Sequence, residues 1–424
     1  MIKLETDIAP ILAEQYADLL SLDYRGRSTL LNSFHHNFDH LLVWDHRMQA
    51  YVEGLQRLDK TVHGYFREQL TSSLSQGDVF ALSIFALVTG HQDLLDGCLR
   101  LTQALPALLP VIAQCFEWAP THSALWAVVS AYPALRVMAY YTRQNIVSNP
   151  LLTDEEITVL LPNAAVTPAL VWSLYQQQHP DYFSVIQTLS ASNQPRLQLG
   201  MLTAILTRHL PYEGIFPDVL LAELTRSGNE EISYQAAKLY LLSTHYSQEE
   251  YIGFIKERTE NTRLYIQSLG IAGNAEAVDI LQGYFDIPDF ARLSAAAIST
   301  ITGYSPESVD WSGESLKHSE ATPSNPEETL PDIDPDISLS WPDKRVFDHW
   351  WANYSYKFEP GHVYLGGELD SCSGMSAVLW QGRMALRPLA IARLQRRTQS
   401  FLFPHTAPAF TQHTQMKKLK NREI

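Results

Sequence analysis

Cysteine is scarce: Cys98, Cys115 and Cys372 are an odd number at wide spacing, without a CxxC pair, in a chain of 424 residues. That excludes a disulfide framework and a zinc knuckle, and implies a reducing compartment. Positive charge is also short, with 31 Lys and Arg against 46 Asp and Glu and a formal charge of −15. A protein that neutralises phosphates needs a clustered positive surface, so nucleic acid is not an expected partner. The opening residues, Met1-Ile2-Lys3-Leu4-Glu5-Thr6-Asp7, carry acids where a signal peptide has a basic segment and then an apolar run. A cytoplasmic location is expected. The most apolar region, Ala104 to Tyr141, is cut by Pro106, Pro110, Pro120 and Pro133 and carries Gln114, Glu117 and His122. No uninterrupted run reaches the ~18 residues of a membrane helix, and buried helices are expected instead.

Catalytic signatures are missing too. The chain has no GxSxG elbow, no GxGxxG turn and no GxxxxGK[ST] loop, and no strand pattern to carry one. Asp45-His46-Arg47 and Asp348-His349 set a carboxylate beside a histidine, but neighbouring residues on a helix point about 100° apart and cannot form a relay. No catalytic residue, metal or cofactor is expected. His36 and His40 stand one helical turn apart next to Asp39, which is metal-ligand spacing, but a zinc site needs three or four converging ligands and none is marked. A solvated helix face accounts for them.

What the chain does have is apolar residues, 46% of the total, with 11% aromatics and only 18% charged residues. At this length a repeat array reconciles one chain with one continuous core. Apolar residues recur at helical spacing from Asp7 to Leu22 and again from about Phe34 to Leu58, where Leu41, Leu42, Met48, Tyr51, Val52 and Leu55 form one stripe. Short apolar helices follow from Thr61 to about Tyr141, broken at Gly77-Asp78, at Gly90-His91 and at the prolines.

Between Arg196 and Gly303 four segments share one face: Leu197 to Leu206, Ile232 to Leu241, Thr262 to Ile271 and Ala291 to Thr300, at offsets of about 35, 30 and 29 residues. Arg263-Leu264 recurs as Arg292-Leu293. Companion helices are expected at Val219 to Leu224, Glu249 to Lys256 and Ala277 to Tyr284. The fold class expected is therefore all-α, a HEAT-like helical-repeat solenoid in which each hairpin buries its face on its neighbours.

From Ser305 to Ser340 nine acids stand against one Lys, with Pro323, Pro326, Pro331 and Pro335, the composition of a chain that cannot offset its ordering entropy by burial. Proteases are expected to cut there first. Residues 341 to the end hold twelve Lys and Arg against six acids. The expected plan is an N-terminal helical module at 1–60, repeats at 61–303, an acidic linker at 304–340, a small aromatic-rich module at 341–412 and a basic tail at 413–424. The linker is free to fold back on that positive module. Trp341, Trp350, Trp351 and Tyr364 are either a binding hot spot or the module's own core. Arg393, Arg396 and Arg397 either present a guanidinium face to an acidic partner or are plainly solvated. Lys417, Lys418, Lys420 and Arg422 read as a frayed end.

Asp45-x-Arg47-x-x-Ala50-x-x-x-Gly54-Leu55 near the start, helical hairpins in the middle, and Trp341-Pro342-Asp343, Trp350-Trp351, Phe358-x-Pro360-Gly361 and Tyr364-Leu365-x-Gly367 near the end together resemble an uncharacterised family of proteobacterial HEAT-repeat proteins. Its members are often encoded near type VI secretion genes. The resemblance implies a bacterial accessory protein that binds a secreted effector or a component of its delivery apparatus, as an effector adaptor or an immunity protein. It carries over no catalytic residues. A structural subunit of a larger assembly, or an enzyme with an unmarked site, remain the other classes.

Overall fold

The computed structural model describes residues 3–119, 131–142, 151–243, 248–258, 261–309, 311–314, 334–398 and 403–420. Most of the acidic linker, residues 310 and 315–333, lies outside them. So do Pro120, His122 and, at the basic end, Arg422. Among the described residues the chain is all-α, with one hairpin of two-residue strands. None of these helices is long and apolar enough to cross a membrane.

The helices run α1 (Lys3–Leu31), α2 (Phe38–Arg57), α3 (Asp59–Gln69), α4 (Gln76–Thr89), α5 (Gln92–Ala104), α6 (Leu109–Trp118), α7 (Pro133–Thr142), α8 (Asp154–Leu160), α9 (Thr167–Gln176), α10 (Tyr182–Ser190), α11 (Pro195–Thr207) and α12 (Pro217–Leu224). Then come α13 (Glu230–Ser243), α14 (Gln248–Arg258), α15 (Thr262–Ala272), α16 (Ala277–Gln282), α17 (Ala291–Thr302), α18 (Lys344–Tyr354), α19 (Cys372–Gln381), α20 (Arg387–Thr398) and α21 (Ala409–Lys420). The chain divides into two compact units, one of residues 1–220 with 402–424 and the other of 221–401. This division differs from the five segments expected, because it follows packing between distant stretches rather than composition along the chain.

In the first unit α4 is central. Every residue from Val79 to Leu87 is buried, as expected of a helix that is apolar all round. Its start is set by a capping box between Ser75 and Asp78. Gly77 lets the Ser21 backbone of α1 come so close that a Cβ would overlap the Ser21 carbonyl. The expected stripe on α2 is largely inward, with Leu41, Met48, Val52 and Leu55 buried, while α1 continues past Leu22 to Leu31. Within the extension Gly26 makes room for the Trp44 ring of α2, whose Nε1 donates to the Asp23 carbonyl at 2.9 Å.

Asp45 supplies the tie that brings α21 back to the start of the chain. It is fully buried and accepts from Arg27 Nε at 2.7 Å, Arg27 Nη2 at 3.0 Å and the Ala409 N–H at 2.7 Å. Arg27 also donates to the carbonyls of Thr406 and Ala407. The stretch expected to be a basic tail is, as far as Lys420, the last helix, with Met416 buried and Phe410 edge-on to Trp118. Ala409 and Met416, two turns apart and both buried, decide that conformation rather than the exposed Lys417 and Lys418.

In the second unit α15 lies between α13 and α17, with α14 and α16 as companions. The C-terminal segment closes on the carboxyl ends of α15 and α17. Tyr364 N–H donates to the Gly273 carbonyl at 2.8 Å, Gly366 N–H to Thr300 at 2.7 Å and Gly367 N–H to Ile301 at 2.9 Å. Carbonyls that a helix end leaves without partners are thus satisfied by a hairpin far along the chain. Gly273 and Gly303 end their helices at φ of 80° and 77°, the left-handed region that glycine reaches without steric cost.

Candidate functional site

The amino ends of the same helices carry the most distinctive polar construction among the described residues. Arg263 and Arg292, the second residues of α15 and α17, each receive one carboxylate of the linker's far end. Asp336 takes both terminal nitrogens of Arg263, with Nη1 at 2.8 Å, and Asp334 pairs with Arg292. Arg292 also lies over the Trp341 ring at 4.6 Å. The recurring Arg-Leu pair is therefore a two-point clamp for Asp334-Pro335-Asp336. These linker acids settle on α15 and α17, not on the arginines of the C-terminal module. The near end of the linker does join that module, through the backbone: Gly313 N–H donates to the Trp341 carbonyl at 2.7 Å and Asp343 N–H to the Trp311 carbonyl at 2.7 Å. Carboxylates at helix amino ends also answer the positive end of the helix dipole. Donating hydrogen bonds to Asp336 raises the Arg263 pKa further above its usual value, with burial opposing.

Beside this strap lies an open cleft of about 600 Å³ between the amino ends of α13 and α15. Asn229 and Asn261 cap the two helices through their side chains, accepting from Ile232 N–H at 3.1 Å and Leu264 N–H at 2.9 Å. Glu230 and Glu231 form its exposed rim, and Tyr234, Arg263 and Gln267 line it. Burial first, then the Glu231 charge, pushes the Tyr234 pKa up, so its hydroxyl stays a neutral donor. With Arg263 neutralised by Asp336, the rim is acidic. Arg263→Ala should release the strap. We expect faster hydrogen exchange at Asp336 and Leu339, whose N–H groups bond within it; unchanged protection there would mean that Arg263 does not hold it.

The seven aromatic and arginine candidates fall in different environments. Trp350 and Tyr364 are buried in an aromatic cluster with Phe285, Trp311, Phe347 and Phe358, so they serve as core. Trp341 lies under Arg292, and Trp351 is half-buried and donates from Nε1 to Asp279 at 3.1 Å. Arg393 is 2% exposed and donates to Ile271 O at 2.7 Å and Ala272 O at 3.3 Å. Burial lowers its pKa to about 10, with Asp370 opposing, so it remains a cation at the carboxyl end of α15. Arg396 and Arg397 reach Asp370 at 3.6 and 3.0 Å. The three arginines thus converge on a carboxylate of their own unit. The contacts of Arg263 and Arg292 have one legible signal in the sequence, the recurrence of the Arg-Leu pair itself.

His36 and His40 are used locally. His36 Nδ1 bonds the Ser33 hydroxyl at 2.8 Å, and His40 belongs to the capping box of α2 with Asn37. Two other groups gather possible metal ligands among the described residues: His63, His91 and Asp93, and Asp154, His179 and Asp181. In the second, both ring nitrogens of His179 are engaged, Nε2 with the Leu152 carbonyl at 3.1 Å and Nδ1 with the Asp181 N–H at 3.2 Å. In the first, the histidines meet carboxylates instead. Comparison with protein-family models, curated proteins and solved structures finds no match to this chain.

Proposed function

We propose that this chain is a non-catalytic protein-binding scaffold, a HEAT-like helical-repeat solenoid whose cleft at the amino ends of α13 and α15 takes a basic segment of a partner protein. The observation that carries this reading is the acidic rim of an open cleft whose lining cation, Arg263, is already neutralised. Nearby charges of one sign select and orient an oppositely charged partner, and the net charge of −15 acts in the same direction at longer range. The strap supports the reading as well, since the amino ends of α15 and α17 already hold a peptide segment of this chain in place. The resemblance to secretion-linked HEAT proteins makes the partner a secreted effector or a delivery component. The chain would then serve as an effector adaptor or an immunity protein.

The test is a pull-down from the native host, followed by co-expression of the best candidate with the wild type and with Glu230→Gln/Glu231→Gln. The pair substitution should weaken the complex by about tenfold and flatten its salt dependence, because each exposed rim charge contributes about 1 kcal/mol at most and is screened by salt. An immunity protein rescues growth against a toxin by itself, whereas deletion of an adaptor abolishes delivery. A complex indifferent to both Glu substitutions would move the interface away from the cleft. Turnover of a small molecule that a cleft substitution abolishes would refute the non-catalytic reading.

A further inference from the structure

We propose that His63, His91 and Asp93 form a binding site for one divalent transition-metal ion of the zinc class, clipping α3 to the start of α5. Three observations support it. One ligand atom from each residue lies within 4.8 Å of the others. His63 Nε2 already stands 2.9 and 3.1 Å from the two carboxylate oxygens of Asp93. The two imidazole rings face one another with centroids 4.3 Å apart and planes inclined by 33°. Zinc holds nitrogen and oxygen ligands at about 2.0–2.2 Å, which sets tetrahedral ligand pairs about 3.4 Å apart, so closing the group needs movements of no more than about 1.5 Å.

The surroundings fit a metal better than a set of ion pairs. Asp59 lies 2.7 Å from His91 Nε2, the carboxylate-on-histidine arrangement that orients metal-bound imidazoles and leaves the Nδ1 lone pair for the metal. The His91 ring stacks on Phe85, and Phe85 packs on Phe66. Val62 and Phe66 of α3 and Leu94 and Leu95 of α5 are buried, so both backbones are held while the ligands stay accessible at the surface. Arg67 approaches Asp93 at 4.0 Å, but its side chain is 67% exposed and can turn into solvent. On binding, the proton that His63 Nε2 shares with Asp93 is released, or moves to Nδ1, and the nitrogen lone pair takes the metal. Imidazole with carboxylate suits zinc, cobalt and nickel rather than calcium or magnesium. The sequence holds no motif for this group, because its two histidines are 28 positions apart by their numbering and only the α3–α5 contact brings them together.

The full-length chain is dialysed against micromolar zinc chloride and its metal content measured, and cobalt(II) is titrated with visible absorption as the readout. One equivalent of zinc and a d–d cobalt spectrum are expected. His63→Gln/His91→Gln, checked for unchanged helicity by circular dichroism, should weaken binding at least about 100-fold, and Asp59→Asn by about 10- to 100-fold. His36→Ala/His40→Ala should leave it unchanged. No zinc retained by the wild type, or zinc retained by His63→Gln/His91→Gln, overturns the proposal.

Discussion

Asp45→Ala should destabilise the first unit by about 3–5 kcal/mol, the cost of breaking a buried ion pair from one side. The reason lies in what the substitution strands. The Arg27 guanidinium would remain buried with its charge unanswered, and the Ala409 N–H would lose its acceptor at the start of α21. A nearby pair gives the control. Arg47 reaches Asp23 at 2.6 Å, with the Arg47 side chain 46% and the Asp23 side chain 9% exposed, so Arg47→Ala leaves one carboxylate short of donors near the surface and should cost less, about 1–3 kcal/mol. Urea unfolding of both variants measures the contrast, and hydrogen exchange locates it, with lost protection in α1, α2 and α21 for Asp45→Ala alone. Equal costs for the two variants would show that solvent reaches Asp45 and that the tie is not what returns the C-terminal helix.

Gly273→Ala should disrupt the second unit where the hairpin meets α15. At φ of 80° a side chain costs about 1–2 kcal/mol by itself. Its Cβ would also overlap the Tyr364 carbonyl oxygen and crowd Arg393 Nη2 at 2.9 Å, and such overpacking adds about 1–3 kcal/mol. Gly90 ends α4 at φ of 87° with open space where a Cβ would stand. Gly90→Ala therefore isolates the conformational cost, and the excess for Gly273→Ala measures the hairpin contact. Exchange of the Tyr364, Gly366 and Gly367 amides should quicken in Gly273→Ala only. An identical penalty at both glycines would mean that the hairpin yields without loss.

Part of the helical plan is legible because it is written locally. Gly90, read as a break, ends α4, and the apolar period of α2 names its inward face, whereas the break expected at Gly77-Asp78 falls inside the first turn of α4, which Ser75 caps. The functional reading is less accessible. Trp350, Tyr364 and Arg393 look like contact residues in a sequence, since aromatic and arginine side chains serve interfaces and cores equally. Their burial separates the two uses, and no local pattern encodes it. His36 and His40 stand out through spacing on one helix, whereas His63, His91 and Asp93 meet only through packing.

By itself, then, the sequence determined an all-α chain, the inward face of α2, and the recurrence of Arg263-Leu264 as Arg292-Leu293. These follow from backbone hydrogen bonding and side-chain period within a few residues. The tertiary structure alone decided that α21 joins the first helices through Asp45, that Asp334 and Asp336 settle on Arg292 and Arg263, and that Tyr364 to Gly367 complete the helix ends at Gly273 and Gly303. Each of these joins residues many positions apart. The groups that meet there are set by which buried charges and unpaired carbonyls find partners when the core closes, and that is a property of the packed chain rather than of any segment within it.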